Sequence, residues 1–237
     1  MKVLFVGPTL SGAAEMAGPA MAVRPPARQG DIHAAVREGA TAIGLVDGVF
    51  EYVAPVWHKE ILFALSLGVQ VLGSSSMGAL RAAECDRFGM IGVGSIYRRF
   101  ASGGIEDDAD IAQLHAPGEL GYAALTVPLV NVHATLAGLL ADRSISRAEF
   151  AAIEKAAAVT FFKDRTLDAI AAVAMGLAAG RRAQIRGLLG TRYVDQKRAD
   201  AMELLARLQA LDDCRACPPA QWRFQATTIW AAAFRSE

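Results

Sequence analysis

Residues 69–84 read VQVLGSSSMGALRAAE. A short run of β-branched and aliphatic residues stops at the turn Gly73-Ser74-Ser75-Ser76-Met77-Gly78, and the alanine- and leucine-rich stretch behind it has helical spacing. Strand, tight turn, helix is the building unit of a parallel sheet, and the same unit recurs upstream. VLFVG (3–7) is followed by DIHAAVREG (31–39), AIGLVDG (42–48) and PVWHKEILFALSLG (55–68). Short buried strands alternating with amphipathic crossovers predict an α/β fold, mostly parallel, with helices on both faces. The strands starting near Ala42 and Val69 are expected to lie side by side.

Beyond this unit the pattern changes. The glycine-rich, charged stretch from Gly89 to Asp110, and the breaks at Pro117, Gly118, Gly121 and Pro128, predict an irregular cap. From Leu129 onward alanine and leucine recur at helical spacing, with Ser146 and Glu149 marking a capping-box start. The expected organisation is an α/β core with its cap over 1–128 and a helical C-terminal part over 129–237.

Composition narrows the function classes. Lysine plus arginine equals aspartate plus glutamate at 24 each, so no global field draws the chain to nucleic acid or an anionic membrane. The opening apolar run VLFV is cut by Gly7 and Pro8, too short for a signal peptide, and Ala169–Gly180 falls well short of the ~20 residues that span a bilayer. Three cysteines form no disulfide framework, and a cytoplasmic protein is expected. The Cys214/Cys217 pair lacks a second CxxC and a following histidine, so no metal is expected there. No cofactor is expected either: Gly7–Gly12 lacks the Gly-Lys-Ser/Thr of a phosphate loop, and Gly89, Gly92 and Gly94 lack dinucleotide spacing.

The turn itself carries chemistry. Ser74-x-Ser76-x-Gly78 is a small-x-Ser-x-Gly variant of a nucleophile elbow, in which small neighbours such as Ser75 let the chain bend sharply and hold Ser76 at a helix N-terminus. The free Met77 N–H and the helix dipole suit an oxyanion there, and would suit a bound anion equally. Lys59 begins a helix at the carboxyl edge of the preceding strand, where doubly wound sheets assemble their sites, and is the candidate base if burial lowers its pKa. His58 is the fallback. Serine-glycine turns and helix-start lysines also occur as ordinary caps and solvated residues.

The strings VGP at Val6, RPPA at Arg24, GD at Gly30, IGLVDGVFE, VWHKEIL, GSSSMGALRAAE, FGMIGVGSIY, EDDADI and LHAPGELGY, in this order, resemble the core of the TfuA family. The resemblance runs from about Val3 to about Ala137. It implies a fold other than the standard α/β-hydrolase. It also implies a partnership with a YcaO enzyme, which activates a backbone amide of a precursor peptide or protein so that sulfur replaces oxygen. The TfuA-like partner is thought to hydrolyse the C-terminal thiocarboxylate of a ThiS-like sulfur carrier, releasing sulfide, and to help YcaO bind its substrate. A serine-lysine pair goes with this activity, and Ser76 and Lys59 are the positions that fit. Asp47 and Glu51 would orient Lys59 or meet the carrier tail, or serve as turn residues. Arg81 would grip a carboxylate, or pair with Glu84. Glu106, Asp107, Asp108 and Asp110 read as a charged helix start rather than a metal site. His115 either lines the site or is a satisfied residue of the cap. The alternative to the hydrolase is a non-catalytic adaptor that docks a YcaO enzyme and its peptide substrate.

Overall fold

A computed structural model describes residues 1–49 and 53–234. Its elements run β1 (Lys2–Phe5), α1 (Ala13–Ala17), β2 (Met21–Arg24), α2 (Asp31–Arg37), β3 (Ala42–Leu45), α3 (His58–Ser66), β4 (Gln70–Ser74), α4 (Met77–Cys85), β5 (Ile91–Val93) and α5 (Gly94–Ala101). There follow α6 (Leu129–Ala141), α7 (Arg147–Val159), α8 (Leu167–Val173), α9 (Ala179–Thr191), α10 (Gln196–Ala210) and α11 (Thr228–Ala233). The fold is α/β, with one five-stranded sheet in the order β2-β1-β3-β4-β5 and every pair parallel. β3 and β4 are neighbours, as the sequence predicts, with Ala42 opposite Gln70 and Leu45 opposite Gly73. The order 2-1-3-4-5 is that of doubly wound sheets whose sites form outside the carboxyl ends of the strands.

The pleat explains the run-like composition of the strands. Val3, Phe5, Ile43, Leu45 and Val71 bury against α2, α3 and α4 on one face, while Leu4, Val6, Ala42, Val46 and Leu72 bury on the other. Both faces are covered, so alternation with polar residues disappears. The second face is closed by α1 and by Ala201, Leu204, Leu205 and Leu208 of α10, each buried leucine stabilising by roughly 2 kcal/mol. Gly44 makes that closure possible: a Cβ there would stand 2.8 Å from the methyl carbons of Leu204 and Leu208.

The chain forms two compact units, residues 1–104 with 200–237, and residues 105–199. The boundary expected at 128/129 thus falls inside the second unit, and the last segment belongs to the first because the α10 leucines fill the sheet's second face. The second unit has its own core of Val132, Leu136, Leu139, Ile153, Ile170, Ile185 and Leu189, drawn from α6 to α9. Its α7 starts as expected, with Ser146 Oγ accepting from Glu149 N and a Glu149 carboxylate oxygen accepting from Ser146 N at 2.7 Å.

One expectation is corrected. The stretch from Gly89 to Asp110 is not wholly irregular: it carries the edge strand β5 and helix α5. β5 is only three residues long and contains Gly92, whose missing Cβ leaves room for the Tyr97 ring, so neither length nor alternation marks it in the sequence.

Candidate active site

The serine turn is built by close backbone packing. A Cβ on Gly78 would fall inside the Leu45 carbonyl, and one on Gly73 inside the Gly78 carbonyl, so only glycine lets the first turn of α4 reach the end of β3. Gly78 N–H donates to Val46 O at 3.1 Å, which fixes the helix start to the neighbouring strand. Between β4 and α4 the chain reverses through a γ-turn of the rare positive-φ kind. Ser76 N–H donates to Ser74 O at 2.8 Å, and Ser75 between them has φ 65°. An L-residue in that region costs about 1–2 kcal/mol, strain that persists only where the surroundings enforce it.

The three hydroxyls are not equivalent. Ser74 and Ser75 are fully buried; their oxygens lie 3.1 Å apart, and Ser74 Oγ also donates to Asp200 O at 3.3 Å. Ser76, 5% exposed, sits at the N-cap of α4 without making a side-chain cap bond. Among the described residues the Met77 N–H likewise has no hydrogen-bond partner. A hydroxyl and an adjoining free N–H at the start of a nine-residue helix are the pair that acyl transfer needs, one to attack and one to stabilise the oxyanion. Cys85 at the other end of α4 is excluded as a nucleophile near neutral pH, because burial pushes its thiol up to about 12.

The other sequence-predicted residues fall into separate arrangements. Asp47, 2% exposed, faces the first loop: its carboxylate accepts from Gly7 N at 2.8 Å, Thr9 N at 3.0 Å and Thr9 Oγ1 at 2.5 Å. His58 Nε2 lies 2.8 Å from Glu84 Oε2, and Arg81 Nη1 donates to the same oxygen at 2.6 Å while its Nε donates to Val56 O. Arg81 is therefore the partner of Glu84. Burial alone would raise the Glu84 carboxyl, but the hydrogen bonds and charges of His58 and Arg81 hold it below its ordinary range.

Lys59 is not hydrogen-bonded to Ser76. Its Nζ donates to Gln225 O at 2.5 Å and stands 5.1 Å from the centre of the Phe224 ring. Its head group is met instead by the C-terminal segment. His115 belongs to the second unit, where its Nδ1 lies 2.8 Å from Ala116 O and its ring meets Tyr122 edge-on. In the acidic stretch, Asp107 caps a short 3-10 turn by accepting from Ala109 N. Glu51 lies outside the described residues.

Two buried acids escape a reading by motif. Asp200, 3% exposed, accepts from Ile96 N at 2.7 Å through Oδ2, capping α5 beside the serine turn. Gly94 is required there, since a Cβ would collide with the Asp200 carboxyl. Glu60, fully buried, accepts from Gly30 N, His33 N and Trp57 N. Burial raises its carboxyl above the ordinary value, against the lowering effect of those bonds. The available signal was an acid within an otherwise apolar helical stripe, 200-201-204-205-208 for Asp200 and 60-61-64-65 for Glu60.

Sheet order and turn together define a doubly wound α/β protein with an elbow-type serine at the carboxyl edge of its sheet. Within that class, the model of the TfuA-like protein family matches residues 47–166, about half of the chain and the whole of the serine turn, and the chain belongs to that family. No curated protein matches it. Among the described residues no helix is long and apolar enough to cross a membrane.

Proposed function

We propose that this protein hydrolyses the C-terminal thiocarboxylate of a ThiS-like sulfur carrier and thereby supplies sulfide to a YcaO enzyme for backbone thioamidation, while supporting YcaO's hold on its peptide or protein substrate. Ser76 Oγ attacks the carbonyl carbon, hydrosulfide leaves, and an acyl ester on Ser76 remains. Water then cleaves the ester, giving the carrier carboxylate and restoring the hydroxyl. Lys59, as a free amine, takes the serine proton in the first step and passes it to the departing sulfur, and, free again, activates water in the second and returns that proton to Ser76 Oγ. The Met77 N–H stabilises the oxyanion of each tetrahedral intermediate.

The observation that carries this reading is the strained serine turn, which places an uncapped hydroxyl beside an N–H that has no partner among the described residues, at a helix start. Family membership supports the setting. The bond between Lys59 and Gln225 O favours a second reading, the adaptor that docks YcaO and its substrate without chemistry of its own. Sulfide release from a thiocarboxylated carrier, measured for wild type and Ser76→Ala beside YcaO binding by each, separates the two. The hydrolase predicts a fall of about a thousandfold or more in release with binding and melting temperature unchanged; equal release by both proteins leaves the adaptor.

A further inference from the structure

The segment after α10 lies across the first unit without regular structure until α11. From Asp212 to Ala226 it has no helix or strand, and most of its residues are exposed. It is nevertheless pinned at intervals by aromatic rings. Trp222 Nε1 donates to Phe88 O at 3.1 Å. Phe224 meets Phe63 at 5.6 Å between centroids. Trp230 meets both Phe63, at 5.2 Å, and Phe224, at 4.9 Å. Phe234 stacks on His33 at 4.3 Å. The receiving surface is an aromatic patch on α2 and the start of α3 made by His33, Trp57 and Phe63. Where the segment ends, a shallow cavity of about 350 Å³ remains open between Arg28–Gly30 and Ala233–Phe234.

Beside this patch the segment meets Lys59 twice, with the Gln225 carbonyl accepting from its Nζ and the Phe224 ring under the same atom. The amine that a base must offer to Ser76 is taken up by these contacts. A few rings on a segment that is exposed and irregular up to the six-residue helix α11 form a contact that opens more easily than the sheet beneath it.

We infer that residues 222–234 are a displaceable strap, which in its closed position covers the aromatic patch on α2 and α3, holds Lys59 away from Ser76, and keeps hydrolysis low until it is lifted. This rests on Lys59 acting as the base. The strap's own mode of binding, an irregular lead into the short helix α11 with spaced aromatic anchors and a carbonyl offered to Lys59, states the chemistry of what can replace it.

Two readouts on the full chain test this, for wild type, Phe224→Ala and Phe224→Ala/Trp230→Ala. One is the acetylation rate of Lys59 by an N-hydroxysuccinimidyl ester at pH 7.5, followed by peptide mass spectrometry; the other is sulfide release from a thiocarboxylated carrier. Circular dichroism identifies any variant that fails to fold, and Phe224→Ala, which touches one ring only, stands in if the double variant does. If an opened strap turns a minor population into the major one, both rates rise about fivefold or more. Unchanged acetylation overturns the strap. Faster acetylation with unchanged hydrolysis overturns its regulatory role. In that second case Lys59→Met locates the fault: loss of hydrolysis leaves Lys59 as the base and the strap idle, whereas retained hydrolysis shows that the base assignment failed.

Discussion

Two strand-to-helix turns leave the same edge of the sheet, one after β1 and one after β4, and they handle their polar groups in opposite ways. In the first, Gly7 N, Thr9 N and Thr9 Oγ1 all converge on Asp47, and the loop is a closed, satisfied structure. In the second, the backbone is strained at Ser75, the Ser76 hydroxyl caps nothing, and the Met77 N–H has no described partner. Both turns are glycine-bearing and look alike as sequence. What separates them is how many of their polar groups find an acceptor: in the second turn Gly78 N–H reaches Val46 O, but the Ser76 hydroxyl makes no cap bond and the Met77 N–H has no partner among the described residues.

The comparison is broken most severely at the glycines. Gly78→Ala puts a methyl group against the Leu45 carbonyl, a backbone contact that cannot relax cheaply, and should cost more than about 3 kcal/mol, lowering the melting temperature by about 10 °C. Gly12→Ala in the first turn meets nothing closer than 3.9 Å and carries only the positive-φ cost of about 1 kcal/mol. Thermal melts of the two proteins compare a steric requirement with a conformational one.

Asp47→Ala strips the first turn of its acceptor and makes it resemble the second. Two buried N–H groups and a hydroxyl are then left without their partner, which should cost about 3 kcal/mol in urea unfolding. Sulfide release per folded molecule should stay within about twofold if Asp47 only holds that loop. A hundredfold loss in the folded protein would place it in the reaction instead.

The smallest effect is expected at Glu84, which is partnered but more than a third exposed. Because its folded pKa is depressed from an ordinary value of 4.5, the ionised group adds stability above that pH and loses it as the pH falls through the folded value. Glu84→Gln should therefore lower stability by less than about 1 kcal/mol at pH 7, the solvent screening such a pair. The gap between the two proteins should close as the pH drops well below 4.5. A gap that widens on acidification would contradict the His58 and Arg81 pairing.

Much of the first unit was legible because its signals are local. VLFV, AIGL and VQVLG announce strands by composition, and GSSSMG announces a turn by its small residues, with Gly73 and Gly78 needed where the packing places them. The pairing of Arg81 with Glu84 was within reach at helical spacing. What stayed hidden depends on distant parts of the chain. β5 is too short to show a period. Asp200 comes to the serine turn from more than a hundred residues away, and the hold on Lys59 is made by Gln225 and Phe224, whose place on α3 no spacing encodes. Charge partners set by tertiary contact leave no mark on a single sequence.

The first unit is assembled from residues 1–104 and 200–237, and this has a consequence on the ribosome. Leu4, Val6, Ala42, Val46 and Leu72 are synthesised early, but the α10 leucines that cover them follow only after the intervening residues 105–199. At about 5–20 residues per second, that wait lasts roughly 5–20 s. Throughout it a nascent sheet with one apolar side covered only by α1 is exposed to chaperones and to other chains. Yield in the cell should therefore depend on how quickly the ribosome reaches Leu208, and a stall before that point would leave a fragment prone to aggregate.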